Sequence, residues 1–440
     1  MANIDVGPNL IESPAGVDYF PQFGSIDDLS ILFADGSKQN IKGILHEISY
    51  YEDIFSFVVS GHLRLKDASG IVERFGLTGK EFLTIDFGRS KGDPRPAQTF
   101  RLYSIPKRDP IGNLSSEFLD LHFCSEELLL SEQIKIVQSF KGTEISNIIR
   151  SILRDYLRVG DTKNSFIQNT IGKYDFIIPA KKPLEAISWL STYALPSVNG
   201  GADMLFYETV WGFYFQSLGT LYQQEPIATY KYDQQSITGK SFNESSISVL
   251  DFEFVKTFDS LDEIKSGSFA NRVISLDPLT RTRTVTDFDY NKYKNSASKL
   301  NPGTLLSSST NRLGLTQNQA YAGSLRMVTG NSNQKQKIPG VAGVSVAEDI
   351  FIEKTLPNRT AQIALINHTK LKLKIPGNSL LSAGDTINFD LLSYIGGENR
   401  KLDTLYSGKY LVTAIRHNIT GDGKYICLVE ISKESTPVQV

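Results

Sequence analysis

The sequence is poor in the residues that usually announce chemistry. Only two of its 440 residues are cysteines, Cys124 and Cys427. Far apart in the chain, they are no disulfide framework. Each sits in a strand-like run, "DLHFCS" and "YICLVEI". They read as buried thiols, with a folded pair as the alternative, and such scarcity fits maturation in a reducing cytoplasm. Of the five histidines, His46, His62, His122, His368 and His417, no two stand at a helical i, i+4 spacing and none lies beside a cysteine. No zinc site of Cys and His is expected. Nucleophile-elbow, P-loop and dinucleotide-binding motifs are missing, and the glycine pair of "VNGGAD" reads as a loop rather than a phosphate cradle. Asp and Glu number 48, but nothing singles out a pair for acid/base hydrolysis. The expectation is a protein that is not an enzyme, with no catalytic, cofactor-binding or metal residues.

Charge of one sign is also missing. Lys and Arg total 46, giving a net charge of -2. No global basic field would draw the chain to nucleic acid or an anionic membrane. No stretch approaches the ~20 apolar residues of a membrane helix. "MANIDVGPNLIESP" lacks the basic start and apolar centre of a secretory signal. No stable membrane association is expected.

Strands are present in number. At roughly 150 residues per domain the length suggests about three domains. Residues 1–28, rich in Pro, Gly and Asp, read as an extended arm. From 29 to 130, short alternating runs follow one another between turns: "LSILF", "ILHEISYY", "IFSFVVSGHLRL", "EFLTIDF", "TFRLYSI" and "EFLDLHF". In these, Leu83, Ile85 and Phe87 share a face, as do Leu119, Leu121 and Phe123, the period-2 signature of a barrel or sandwich. "DASGIVERFG" reads as one helical turn among them.

The period changes in residues 131–249. "GTEISNIIRSILRDYLRVG" has apolar residues at helical spacing from Ile145 to Leu157, with Thr143 as N-cap and Gly160 as terminator. "KKPLEAISWLSTYALP" predicts a second helix with Pro183 in its first turn. From 250 to 440 the strand pattern returns. Residues 291–345, rich in Asn, Ser, Gln and Gly, read as a long polar insertion. "RTAQIALINH" predicts a helix. In the following "KLKLKI", Leu371, Leu373 and Ile375 face one way and Lys370, Lys372 and Lys374 the other. Three lysines are few beside the ~6–10 phosphate contacts of a nucleic-acid binder. They read as a solvated face that discourages edge pairing. The architecture is β, then mixed α/β, then β.

The aromatic residues gather in one place. "MLFYETVWGFYFQSL", Met204 to Leu218, holds six: Phe206, Tyr207, Trp211, Phe213, Tyr214 and Phe215. It reads as a hairpin with its tip at Thr209–Gly212. Phe213 and Phe215 share a core face, and Tyr214 and Gln216 share the other. Val210 and Trp211 are unusual tip residues. Trp211 needs cover, from a partner protein or from the chain's own neighbouring domain. A sugar-stacking platform is disfavoured because polar groups nearby are sparse.

Four segments in order carry a family likeness: "YEDIFSFVVSGHLRLKDASGIVERFGLTGKEFLTIDF" (Tyr51 to Phe87), "LFYETVWGFYFQSLGTL" (Leu205 to Leu221), "SFANRVISLDPLTRTRTVTDFDY" (Ser268 to Tyr290) and "RTAQIALINHTKLKLKIPGNSLLSAGDTINFDL" (Arg359 to Leu391). Together they resemble the baseplate central hub proteins of contractile-tailed bacteriophages. This T-even-like hub family is related to the hubs of contractile injection systems and type VI secretion spikes. One departure is Trp211 before Gly212, where similar hubs tend to carry Asp or Asn.

The resemblance implies a mainly β fold, with two tail-tube-like β-barrel domains (29–130 and 250–440) and a mixed α/β domain (131–249). It implies a homotrimer that adapts the hexameric tail tube to the trimeric central spike. Its partners would be the tube protein, the spike protein and other baseplate proteins. DNA and the tape-measure protein would only pass through its channel, and Lys370, Lys372 and Lys374 would point away from that lumen. The protein would be assembled in the host bacterial cytoplasm and reside in the virion, at the tail baseplate. The alternative is a receptor- or glycan-binding tail module. A peptidoglycan hydrolase has no motif behind it.

Overall fold

A computed structural model describes residues 24–89, 95–112, 116–159, 163–198, 201–232, 247–257, 259–277, 281–293, 298–303, 310, 312–316, 319, 325–329, 352–393 and 401–437. The first part holds β1 (Ser25–Leu32), β2 (Lys38–Asn40), β3 (Leu45–Asp53), β4 (Ser60–Asp67), α1 (Ile71–Phe75), β5 (Phe82–Gly88), β6 (Gln98–Ile111) and β7 (Ser116–Cys124). The middle part holds α2 (Glu126–Gln133), β8 (Ile136–Thr143), α3 (Ile145–Asp155), β9 (Ser165–Ile167), β10 (Thr170–Ile171), β11 (Tyr174–Lys181), α4 (Pro183–Ser191), β12 (Leu195–Pro196), β13 (Met204–Thr209), β14 (Gly212–Ser217) and α5 (Leu218–Tyr222). There follow β15 (Thr229–Tyr232), β16 (Asp251–Lys256), α6 (Ser260–Ser266), β17 (Ala270–Asp277), β18 (Thr282–Asp289), α7 (Tyr290–Tyr293), β19 (Leu325–Thr329), α8 (Ile352–Ile366), β20 (Thr369–Pro376), β21 (Thr386–Leu391), β22 (Gly408–Thr420) and β23 (Tyr425–Lys433).

The fold is mainly β, and the first and last parts form one sheet of 13 strands. Its main order is β16-β20-β23-β22-β3-β4-β7-β6-β5-β1-β2. The join is the antiparallel pair β3–β22, running from Ala414↔Asp53 to Thr420↔Glu47. The start of β22 pairs instead with β21, which carries β15 in parallel. Among the described residues the sheet does not close into a ring. Its path ends at β2 and β16.

Alternation decides which side of each strand is buried. Leu83, Ile85 and Phe87 of β5 point inward, as do Leu119, Leu121 and Phe123 of β7 and Leu371, Leu373 and Ile375 of β20. They meet in one core shared by both ends of the chain. α3 and α4 supply a second core through Ile145, Ile148, Ile149, Ile152, Leu184, Ile187 and Leu190. α8 packs on β17 and β18, closing a small third core around Phe269, Phe288 and Leu365.

Several local expectations need correction. Thr143 is not the N-cap of α3. It ends β8, and Glu144 takes the cap position with no side-chain hydrogen bond. The expected terminator, Gly160, lies outside the described residues. β1 starts at Ser25, inside the stretch read as an arm, whose residues 1–23 lie outside the described residues. Much of 291–345 also lies outside them. Within it, Leu325–Thr329 is strand β19, paired in parallel with β17. β20 lies between β16 and β23, so its lysines guard no edge. Both cysteines are free and buried, and burial pushes each thiol up to about 11.

Candidate functional site

The aromatic hairpin is the seam between the helical part and the large sheet. β13 and β14 pair in register from Met204↔Ser217 to Thr209↔Gly212, leaving Val210 and Trp211 as a two-residue tip. Such a tight turn wants residues that accept positive φ. Here Gly212 supplies it, at φ 133°, and a Cβ there would sit 2.2 Å from the Asn164 carbonyl oxygen. No other residue fits that approach.

The two faces of the hairpin enter different cores. Met204, Phe206, Phe213 and Phe215 pack with α3 and α4, while Leu205, Tyr207 and Val210 pack into the core of the sheet. The Phe206 and Phe213 rings stack at 5.6 Å, and Tyr207 and Tyr214 stack at 5.3 Å on the opposite side. Phe213 and Phe215 are fully buried. Each contributes roughly 1.5–3 kcal/mol from burial alone. Trp211 is half-buried and packs against the sheet's core, so part of its cover comes from its own chain. Tyr207 presses so closely on Gly384 (φ 94°) that a Cβ there would lie 2.4 Å from its hydroxyl oxygen.

Two buried carboxylates fix the hairpin in this seam. Glu208 accepts from the Val59 amide at 2.9 Å, the Ser125 hydroxyl at 2.5 Å and Lys163 Nζ at 2.6 Å. Lys163 also binds Glu127, at 2.8 Å. Glu52, on β3, accepts from the tip amide of Val210 at 2.9 Å and from the Ala383 amide at 3.0 Å. Arg95 approaches Glu52 at 3.7 Å, donates to the Ser379 carbonyl at 3.2 Å, and lies over the Tyr50 and Phe87 rings. One glutamate thus gathers segments around residues 52, 95, 210 and 383. Burial raises the affinity of both carboxyls for a proton, while the cations beside them oppose that shift.

Other buried polar groups surround this seam. Burial brings the Asp385 carboxyl to about 7, and Ser382 donates its amide to it at 2.7 Å. His417 is pushed well below its ordinary value by burial and by Arg95, so it is neutral. Its Nε2 faces Arg95, a donor, and its Nδ1 lies 2.8 Å from the Tyr425 hydroxyl. From α8, Arg359 donates to the carbonyls of Ser191, Ala202 and Met204. These contacts hold geometry. None presents a nucleophile beside an accessible base.

The lysine face of β20 is part of an open groove of about 450 Å³ across β16, β20, β23, β22 and β3. Lys372, Lys374 and Arg416 alternate there with Asp251, Glu253 and Glu430. Lys370 is half-buried and pairs with Glu430 at 2.8 Å. With Glu52 and Asp53 also in its lining, the groove has five carboxylates against three cations and is no phosphate track.

Sequence reasoning reached Trp211, Phe213 and Phe215 but missed Glu52, Arg95 and Glu208. Glu208 left a signal: one carboxylate inside "MLFYETVW", an otherwise apolar strand. Buried charges demand partners. Arg95 lies in "GDPRPAQ", where nothing periodic marks it.

No family model matches the chain. It is 25% identical over 422 residues to the Probable baseplate hub protein gp334 of Vibrio phage KVP40, covering 91% of this chain and 94% of that protein. The chain is similar to a phage baseplate hub protein over nearly the full length of both. The resemblance carried by its four segments therefore holds. Two solved structures share the fold. The tail protein from Neisseria meningitidis MC58 aligns with a TM-score of 0.54 and 10% identity over 92% of this chain and 96% of that one. The 43 kDa tail protein of prophage MuSo2 from Shewanella oneidensis gives 0.53 and 8%, over 93% and 98%.

Proposed function

We propose that this baseplate hub relative works as a trimeric symmetry adapter between a hexameric tail tube and a trimeric spike. The observation that carries the reading is the near full-length match to a baseplate hub protein. On this reading, 29–130 and 250–440 are tube-like domains and 131–249 is the domain set beside them. Three chains then present six similar units, turning threefold into pseudo-sixfold symmetry.

The open sheet supports the same reading. β2 and β16 end its path with hydrogen-bonding edges that a neighbouring copy can extend, and extension removes exposed edges. β16 carries exposed Phe254 and Val255 beside its edge. The role is structural rather than catalytic, and the channel passes DNA and tape measure without holding them. The groove at Lys372 and Lys374, with more carboxylates than cations in its lining, agrees with a chain that does not grip phosphates. The glycan-platform alternative loses its motive, because the rings of Phe206, Tyr207, Phe213 and Phe215 are buried.

The test is assembly. The purified chain should form trimers that bind purified tail-tube protein and spike protein. A monomer that ignores both and retains host polysaccharide would reverse the reading. Trp211→Ala should weaken the trimer or its spike contact more than it lowers the monomer's melting temperature, if the exposed part of the ring meets a partner. Equal losses would assign Trp211 to the chain's own core.

A further inference from the structure

The pair β8–β11 has a face that nothing among the described residues covers. Its inner side packs through Ile136, Phe176 and Ile178 against the helices. On its outer side Val137 is 75% exposed and Ile177 is 71% exposed. The register puts Pro179 opposite Val137 and Ser139 opposite Ile177, so one apolar patch spans both strands. A two-stranded ribbon is the smallest unit of sheet, and each strand keeps one unused hydrogen-bonding edge.

The two edges differ. Near its end β11 carries Pro179, which has no N–H to offer, and then Ala180 in the left-handed region at φ 49°. Both features blunt an edge. β8, "IVQSFKGT", contains no proline, has its one left-handed residue, Gly142 at φ 54°, next to its last position, and among the described residues pairs with no strand but β11. Lys135 and Lys181 lie at one end of the ribbon, and Lys141 and Lys173 at the other, where the exposed Asp175 is taken up by the Gly142 amide at 2.7 Å. Lys135, Lys141 and Lys173 are exposed. The chain as a whole is slightly acidic, so this basic frame is local.

We propose that β8 accepts an extended strand from a partner protein, one that alternates aliphatic and acidic residues. Its backbone completes the open edge, its aliphatic side chains extend the Val137–Ile177 patch, and its carboxylates meet the lysines at both ends. Main-chain bonds then supply affinity, and the patch and charges supply selection. This surface is separate from the β2 and β16 edges.

The experiment titrates the full chain against a fluorescent ten-residue peptide of alternating valine and glutamate, read by anisotropy. Amide exchange over residues 136–143 is followed in parallel. Saturable binding with slowed exchange along β8 is expected. Ile177→Asp, and Lys141→Glu with Lys173→Glu, should each weaken binding about tenfold or more. All three positions are exposed, so these variants keep the fold. No saturation, unchanged binding in the variants, unchanged β8 exchange, or equal binding of a control peptide of alternating valine and lysine would each overturn the proposal. Self-association of the chain that Ile177→Asp abolishes would do so too, by giving the face to a second copy.

Discussion

Two ribbons of the middle part, β13–β14 and β8–β11, start from similar ingredients and end differently. Both alternate aromatic or aliphatic residues with others. β13–β14 is buried on both faces and carries a carboxylate, Glu208, that reaches out of the ribbon to Val59, Ser125 and Lys163. β8–β11 is buried on one face only and leaves Val137 and Ile177 in solvent. Apolar alternation therefore places a strand on a core but does not say how many cores it serves. Both ribbons carry one acid in an apolar run, and what differs is its burial: Glu208 is buried and reaches out to three partners, whereas Asp175 of β11 is exposed and takes the Gly142 amide.

The comparison breaks most readily at the locked ribbon. Glu208→Ala leaves Lys163 buried with Glu127 alone and leaves the Val59 amide unpartnered. Chemical denaturation should show a loss of about 3–5 kcal/mol, the range for breaking a buried ion pair. Phe213→Ala should lose a similar ~3–5 kcal/mol by emptying the core beside Phe206. A loss below about 1 kcal/mol in either would mean that the seam is loosely held.

Next in size is a pH effect at the same seam. Asp385 titrates at about 7 when folded against 3.8 as its ordinary value, so the folded state binds its proton more tightly. Its stabilising contribution is complete below about pH 4 and is lost as pH rises through about 7. Asp385→Asn should be neutral near pH 4 and stabilising at pH 8, by an amount on the order of 1–3 kcal/mol. Denaturation curves at the two pH values decide it, and an equal effect at both would contradict it. The smallest effect belongs to the open ribbon. Ile177→Ser should change stability by less than about 0.5 kcal/mol, as exposed positions generally do.

The sequence made the local pieces legible and the long-range ones not. Period-2 alternation located the inward residues of β5, β7 and β20, and Pro183 marked the first turn of α4. The hairpin register at Thr209–Gly212 followed from the same alternation. Nothing local announces that β3 will pair with β22, because that contact joins residues more than 360 positions apart. Glu52 was hidden for the same reason: its partners Val210 and Ala383 are brought to it only by the finished fold. The lysines of β20 looked like edge protection because alternation reveals which face is wet but not which neighbours flank the strand. Glu144 displaced Thr143 as the start of α3 because β8 claimed Thr143 for pairing with Tyr174.

The central claim is that this relative of phage hubs assembles as a threefold adapter, and mass photometry of the purified chain tests it most directly. The account predicts a species of about 150 kDa, three times the 48.9 kDa chain, that gains mass on adding tail-tube protein. A single species at 48.9 kDa that ignores the tube protein would contradict it.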